Sequence, residues 1–254
     1  DLQGQRWDLV ELLQTMACPV LDMRVTLGVQ HRLPARLVAV HLPQEVAEKR
    51  QRNLHEEARS KGQTVSKKRL ALVGTGIRGT KFWGKFVREK YSDVAEFVGL
   101  CDINPGRLEF ASTFIGAGCP TFENFDEMLA VAKPDLVMVT TVDNTHDDFI
   151  IKALKAGIDV VTEKPMTTTY EEAKALRDAH QRAGTVFAVT HTYTGYPMVR
   201  QMREMIKAGE LGKIHKVDAR YYQGWINPII HDREKRSSVW RLDPAKAGIS
   251  SCMG

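Results

Sequence analysis

The stretch Leu70-Ala71-Leu72-Val73-Gly74-Thr75-Gly76-Ile77-Arg78-Gly79 decides the fold, because an apolar run passes directly into three glycines spaced G-x-G-x-x-G. The apolar run predicts a buried strand, and glycines without Cβ atoms let backbone amides approach a pyrophosphate at a helix N-terminus. A glycine pattern alone also occurs in surface turns that bind nothing. Here a second predicted strand, residues 97–101, ends in Asp102, where a carboxylate would hold a ribose hydroxyl pair. The two halves together predict a dinucleotide site.

The composition of the 254 residues is that of a globular protein, with 43% hydrophobic and 26% charged residues. No apolar stretch is long enough to cross a bilayer. The start at Asp1 has neither an initiator methionine nor a secretory signal, so we expect the segment to come from the interior of a longer chain. The four cysteines lie far apart without a C-x-x-C pair, which argues against a zinc site or a disulfide framework and favours a reducing cytoplasm.

The positive net charge of +5 is concentrated late in the chain, where residues 189–254 contain 11 basic and 6 acidic side chains. A basic balance in this region suits an anionic or phosphorylated ligand about as well as a polynucleotide. A solvated surface is the simplest interpretation.

From Lys67 onward, predicted strands alternate with helices over short connections, which is typical of a parallel sheet covered by helices on both faces. A helix from about residue 79 to 90 places Phe82, Phe86 and Val87 in the core. The next helix begins at the cap formed by Asn104 and Pro105, and a later one begins at a capping box formed by Thr145 and Asp148. Further strands are predicted at 121–122, 135–141, 158–162 and 186–190, and further helices at 125–131 and 170–182. This pattern predicts a doubly wound α/β domain over residues 67–190.

The pattern changes after Thr190. Pro197 opens a predicted helix that runs to Ile206, and residues 213–223 alternate between apolar and polar positions as a strand does. We interpret residues 191–254 as the start of a second, sheet-containing domain, which is incomplete because too few strands are present to close a sheet.

An ordered set of short motifs resembles the Gfo/Idh/MocA family of NAD(P)-dependent sugar and inositol oxidoreductases. The set consists of the glycine turn, Thr140-Thr141-Val142, His146, Ala153-Leu154-Lys155-Ala156-Gly157 and the tip Glu163-Lys164-Pro165. The resemblance runs from about Lys67 to Gly254. It implies a Rossmann domain followed by an α/β domain built on an open, largely antiparallel sheet, with the nicotinamide of NAD or NADP between the two.

The resemblance also implies roles for individual residues. The residues implied to contact the pyrophosphate are Gly74, Gly76, Ile77, Arg78 and Gly79. Asp102 would hold the adenosine ribose, with Arg107 near a 2′-phosphate. The residues implied to line the nicotinamide side are Thr140, Thr141, Asn144, His146, Glu163, Lys164 and Pro165, with Glu163 at the nicotinamide ribose.

Lys164 is the residue for which we predict catalysis. Oxidation of an alcohol requires a proton acceptor within hydrogen-bond reach of the hydroxyl, and a lysine can serve if its pKa falls. Burial at a strand tip and a nearby positive nicotinamide would both disfavour the charged form. Pro165 fixes the local backbone and removes an amide donor, and members of the family often have a cis peptide here. The alternative is an ordinary solvated lysine on a loop.

The chain departs from the family pattern at two places. Members commonly carry D-x-G-x-H after a glycine-containing approach, whereas this chain passes through Ala247 and Gly248 and ends at Gly254, where that motif would begin. We therefore expect a chain cut short at both ends. Many relatives have Asn after the sixth strand, where this chain has His191-Thr192-Tyr193. His191, His215 and His231 are as easily structural as functional.

Residues 1–66 do not belong to the usual architecture of the family, and we predict a small α+β extension with little core. The segment 31–66, including residues 34–46 and 57–64, resembles an internal piece of transposases of the IS4 type. Those enzymes use a D-D-E carboxylate set that we cannot place here. Leu37 to Leu42 alternates as a strand does, and Pro43 opens a helix whose basic and acidic residues interleave. We expect a gene fusion or an assembly chimera.

The leading hypothesis is a cytoplasmic oxidoreductase that transfers a hydride between a sugar, inositol or related polyol and NAD or NADP. One alternative is a dinucleotide-binding module without turnover, which the missing downstream acid and histidine favour. Another is DNA association through residues 1–66, although nucleic acid is the least favoured partner. We expect no metal and no membrane contact, and a homo-oligomer for the full-length family member.

Overall fold

The computed structural model describes residues 25–26, 67–219, 224, 227–232, 234, 239–243 and 247. The chain divides into one unit of residues 1–63 and 191–233 and a second unit of residues 64–190 and 234–254. Apart from Val25–Thr26, the predicted α+β extension and its transposase-like segment lie outside the described residues.

The second unit contains a six-stranded sheet in which every neighbouring pair of strands is parallel. The strands are β1 (Lys68–Val73), β2 (Ala95–Cys101), β3 (Thr121–Phe122), β4 (Leu136–Val139), β5 (Asp159–Thr162) and β6 (Phe187–Val189). Their order is β3-β2-β1-β4-β5-β6, the order of a doubly wound dinucleotide-binding fold. The predicted Rossmann fold is confirmed.

Helices connect successive strands. They are α1 (Lys85–Lys90), α2 (Pro105–Ile115), α3 (Phe125–Ala132), α4 (His146–Lys155) and α5 (Tyr170–Ala183). The predicted cap of α2 is confirmed, because the Asn104 side chain accepts the Arg107 backbone N–H at 3.1 Å and Pro105 occupies the first turn. The left-handed Gly116 ends that helix.

The predicted capping box at Thr145 is wrong. A short 3-10 turn, Asp143–Thr145, precedes α4, and Thr145 has no side-chain bond to the helix amides. Its hydroxyl instead donates to the Val142 carbonyl at 2.8 Å, and its backbone, with φ −121° and ψ −1°, does not have the extended conformation of a capping residue. A capping box does form at α5, where Thr169 and Glu172 exchange hydrogen bonds.

The first helix also differs from the prediction. The turn Arg78–Gly84 is π-helical before α1 begins, and a π-helical turn holds more residues than an α-helical one. The residues of this helix that point into the core are therefore shifted along the sequence. Phe82, predicted to lie in the core, is 43% exposed, whereas its neighbour Trp83 is only 6% exposed. Val87 is buried as predicted, and Phe86 is half-buried.

The core lies around the central strands β1 and β4, whose side chains are buried on both faces of the sheet. The strand ends are level, because Val73 is opposite both Cys101 and Val139, and Val139 is opposite Thr162. The residues that follow these strands, Gly74, Asp102, Thr140 and Glu163, therefore meet at one edge of the sheet. Ligands of open parallel sheets bind at this edge.

The described part of residues 191–219 contains the helix α6 (Pro197–Lys207), which begins at Pro197 as predicted. A 3-10 turn, Thr192–Gly195, precedes it. Of the predicted strand 213–223, the structure describes residues 213–219, and only Asp218–Ala219 is extended, pairing antiparallel with Val25–Thr26. The open antiparallel sheet thus stays a prediction.

Two further short elements lie beyond Ala219, the helix α7 (Asn227–Ile230) and the 3-10 turn Trp240–Leu242. None of the helices in the described ranges is long and apolar enough to span a membrane.

Candidate cofactor and active site

The three glycines of the turn after β1 have different surroundings. Gly74 has a φ of +88°, and a Cβ there would lie 2.6 Å from the backbone of Thr140 and Thr141. A Cβ on Gly79 would collide with the Gly74 carbonyl and with the Thr140 hydroxyl. By contrast, no atom of the described residues lies within 4 Å of the position that a Cβ on Gly76 would take. The outer glycines permit close packing of strand and helix, and the middle one leaves the main chain open to a ligand.

Thr140 supports the glycine turn from below. Its hydroxyl lies 2.6 Å from the Gly74 carbonyl, and its backbone N–H donates to the Val73 carbonyl. The side chain is buried and fixes the turn, and its place at the nicotinamide side stays a prediction. The neighbouring Thr141 is half-buried and contacts the Thr145 hydroxyl at 2.9 Å.

Asp102 is tied to the same turn. One carboxylate oxygen accepts the Thr75 backbone N–H at 2.8 Å and its hydroxyl at 3.1 Å, and the other accepts the Asn104 N–H at 3.0 Å. The residue is buried, so these bonds fix the carboxylate beside the glycines. Arg107 is exposed in the first turn of α2, and within the described residues its guanidinium has no hydrogen bond.

Glu163 connects the end of β5 to the glycine turn. Its Oε1 accepts the Arg78 Nε–H at 2.6 Å and the Trp83 indole N–H at 2.7 Å, and its Oε2 accepts the Lys164 backbone N–H at 3.3 Å. The Arg78 guanidinium lies 5.0 Å from the centre of the Phe82 ring and 5.8 Å from that of Trp83. We call Glu163, Arg78 and Trp83 the Glu163 cluster.

Lys164 follows directly and is half-buried. Burial lowers the pKa of its ammonium below the ordinary value of lysine, and the positive charges of Arg241 and Arg78 act in the same direction. The carboxylates of Glu163 and Asp143 oppose these effects but do not reverse them. The peptide bond to Pro165 is cis.

His146 lies beneath this tip. Its ring is fully buried, with Nδ1 2.8 Å from the Pro165 carbonyl and Nε2 3.2 Å from the Thr141 carbonyl. Because carbonyls only accept, the shorter contact requires a proton on Nδ1. His146 therefore holds the loop after Lys164 in place, and its position at the nicotinamide side stays a prediction. Asn144, in the same turn, is exposed.

The sheet edge thus gathers the glycine turn, Asp102 and the Glu163–Pro165 tip, with Ile77 exposed beside Gly76. Sequence reasoning did not identify Trp83, Asp143 and Arg241 as part of this region. Asp143 is buried and its charge reaches Lys164. Its place between a predicted strand and a predicted helix was a signal that the sequence offered. Trp83 and Arg241 offered no signal, because their partners are distant in sequence.

The residues present fit a dinucleotide. The amides around Gly76 are open, the Asp102 carboxylate is fixed next to them, and the Arg78 guanidinium lies at the same turn. Backbone amides and a guanidinium bind phosphates, and a carboxylate at the second strand binds ribose hydroxyls. The fold and the site therefore define a dinucleotide-binding Rossmann protein.

Comparison with known proteins agrees with this class. Residues 68–191 match the family model described as Gfo/Idh/MocA, an oxidoreductase family with an NAD-binding Rossmann fold. Residues 68–191 of this chain are thus similar to that family, whose Rossmann fold binds NAD. The resemblance stated from the sequence is confirmed over this range.

Individual relatives match over parts of their length. YteT of Bacillus subtilis is 34% identical over 61% of this chain and 37% of its own. D-glucoside 3-dehydrogenase of Escherichia coli is 29% identical over 62% of this chain and 44% of its own. The crystal structure of the WlbA dehydrogenase from Bordetella pertussis, in complex with NADH and UDP-GlcNAcA, is 30% identical with a TM-score of 0.55, covering 59% of this chain and 42% of that one. The chain thus spans less than half the length of these relatives.

Proposed function

We propose that this chain carries the cofactor-binding part and the catalytic lysine of an oxidoreductase that transfers a hydride between NAD and a polyhydroxylated small molecule, a sugar, inositol or related polyol. The 2.6 Å bond between Arg78 and Glu163 carries the proposal, because it joins the open glycine turn to the residue that precedes Lys164. The phosphate-binding turn and the lysine therefore form one site.

The residues of the site have separate roles in this proposal. The amides around Gly76 and the Arg78 guanidinium would hold the pyrophosphate, and the Asp102 carboxylate would hold the adenosine ribose. A carboxylate at this position repels a 2′-phosphate, which favours NAD over NADP even though Arg107 lies nearby. When bound, NAD supplies the hydride acceptor. Residues 67–190 are the cofactor domain in this proposal, and residues 191–254 are part of a substrate and oligomerisation domain.

Lys164 would take the proton of the substrate hydroxyl. A neutral amine accepts a proton and an ammonium returns one, so the same side chain serves oxidation and reduction. Because the pKa of Lys164 is lowered by burial and by neighbouring cations, more of the amine is neutral near physiological pH than for a solvated lysine.

Two relatives support the substrate class. One is a dehydrogenase of the 3-position of D-glucosides, and the other was crystallised with a UDP-linked sugar acid. Both ligands present secondary hydroxyls on a sugar ring. We propose a secondary ring hydroxyl as the reacting group here, in a protein that acts in the cytoplasm.

The test is NAD-dependent oxidation of a panel of sugars, sugar nucleotides and inositols, followed by the absorbance of reduced nicotinamide. We expect at least one polyol to be oxidised with NAD and poorly with NADP. Calorimetry with NAD alone separates binding from chemistry. Absence of any heat with NAD from the folded chain would contradict the proposal at its first step, and binding without turnover of any polyol would contradict the oxidoreductase assignment.

Replacing Arg241 with leucine should move the pH dependence of turnover. In the oxidation direction Lys164 must be neutral, so the rate rises with pH through its pKa. Arg241 lowers that pKa, and its removal raises the pKa, so the rising limb of kcat/KM should shift to higher pH.

The matched control is Arg88→Leu, because Arg88 is an exposed arginine of α1 whose Nε–H donates to the Gly116 carbonyl. It should leave the pH profile in place. If Arg241→Leu left the pH profile of kcat/KM unchanged or shifted it to lower pH, the electrostatic role of Arg241 would be contradicted.

A further inference from the structure

Trp83 stands out among the residues that the proposed function does not use. It is buried in the π-helical turn after the glycines, and its indole N–H donates at 2.7 Å to a carboxylate 80 positions later in the chain. An indole has one donor and no acceptor, so its N–H needs an acceptor such as a carboxylate oxygen. A buried indole N–H needs an acceptor, and here that acceptor is the carboxylate of the residue before Lys164.

The two donors on Oε1 decide how Glu163 is oriented. Arg78 Nε and Trp83 Nε1 both bind this oxygen, and the Glu163 side chain is only 8% exposed. Two short bonds to one oxygen, at least one of them charge-assisted, hold the carboxylate in a single rotamer. Among the described residues, the other oxygen, Oε2, accepts only the long 3.3 Å bond from the Lys164 N–H. A carboxylate oxygen can accept two hydrogen bonds, so Oε2 retains a free acceptor position.

We propose that Trp83 is a positioning residue for cofactor binding: by occupying Oε1 of Glu163 together with Arg78, it directs Oε2 toward the nicotinamide ribose. This inference rests on the proposed function, in which Glu163 lies at that ribose. The role of Trp83 is indirect, since its indole is bound to the protein and its own N–H is no longer available to a ligand.

Replacing Trp83 with phenylalanine removes the indole N–H and keeps an aromatic ring. Loss of one hydrogen bond to a charged, buried group should let Glu163 rotate, and we expect the affinity for NADH to fall about tenfold. Calorimetry on the full chain measures this directly, without relying on tryptophan fluorescence. AMP lacks the nicotinamide ribose, so its affinity should change by less than about twofold.

A double-mutant cycle separates positioning from packing. In a Glu163→Ala background there is no carboxylate to orient, so adding Trp83→Phe should change NADH affinity by less than about twofold. If Trp83 were merely structural, Trp83→Phe would lower NADH affinity equally in both backgrounds. It would also lower AMP affinity as much as NADH affinity. Either result, or full NADH affinity in Trp83→Phe alone, would overturn the proposal.

A substitute variant and a control titration complete the test of the role of Trp83. If Glu163→Ala does not fold, Glu163→Gln takes its place, and the effect of Trp83→Phe should shrink because the acceptor is no longer charged; an undiminished effect would contradict the proposal. The parent chain is titrated first. If it does not bind NADH at all, the proposed function has failed, whereas binding that Trp83→Phe leaves unchanged refutes only the role of Trp83.

Discussion

Replacing Lys164 with alanine is expected to lower the rate of hydride transfer about a thousandfold while leaving NAD affinity within about twofold of the parent chain. The alanine removes the proton acceptor, and the described contacts that hold the glycine turn do not involve the Lys164 side chain. Rates with the most active polyol and calorimetry with NAD measure the two effects separately.

Lys155→Ala is the matched control, because Lys155 is an exposed lysine in the last turn of α4. It should change neither quantity. Equal losses of rate and NAD affinity in Lys164→Ala would show that the lysine binds the cofactor and does not carry the proton. A rate that survives the substitution would assign the proton transfer to another group.

The sheet could be predicted from the sequence because its signals are local. Central parallel strands are apolar on both faces, so β1, β4 and β5 are near-continuous hydrophobic runs with glycine or polar residues at their ends. The cap at Asn104 and Pro105 is equally local, since its hydrogen bond spans three residues. Each of these predictions depended on neighbours along the chain and is confirmed.

The first helix and the capping of α4 could not be predicted in the same way. A standard helical period puts Phe82 inward, but the π-helical turn from Arg78 to Gly84 rotates the face and buries Trp83. Thr145 has the right spacing for a capping box, yet the Val142 carbonyl is an acceptor within reach of its hydroxyl. In both cases the local conformation differs from the one that the sequence pattern predicts, and the pattern alone does not show this.

The candidate site likewise has a part that could be predicted from local sequence and a part that could not. The glycine turn, Asp102 and the Glu163–Pro165 tip could be found from motifs and resemblance. The Glu163 cluster could not, because its bonds join residues separated by 80 and 85 positions. Which strand ends lie beside each other follows from the sheet order, but which side chains then pair depends on rotamers that only the folded structure gives.

The link between sheet edge and glycine turn explains why the three glycines should respond differently to substitution. Gly74 faces the backbone of Thr140 and Thr141, which cannot move without breaking the pairing of β1 with β4. Within the described part of the chain, no atom lies within 4 Å of the position of a Cβ added to Gly76. Stability and cofactor binding are therefore separable at positions only two residues apart.

Gly74→Ala is expected to destabilise the fold by about 3 kcal/mol or more, because an alanine at positive φ is strained and its Cβ would overlap buried backbone. Gly76→Ala should leave the free energy of unfolding within about 1 kcal/mol of the parent chain, yet weaken NAD binding at least about tenfold, because the added methyl group occupies the space through which the pyrophosphate reaches the amides. Chemical denaturation and NAD calorimetry on both variants measure the two effects.

Gly106→Ala provides the control, because Gly106 lies in the first turn of α2 without a positive φ, and its nearest neighbour would be the Asn104 side chain at 3.3 Å. It should alter neither stability nor binding by much. If Gly76→Ala bound NAD as well as the parent, the open face of the turn would not be where the diphosphate lies. Lys164 would then be separated from the cofactor, because the Arg78–Glu163 bond places the lysine beside this turn and not beside another part of the sheet edge.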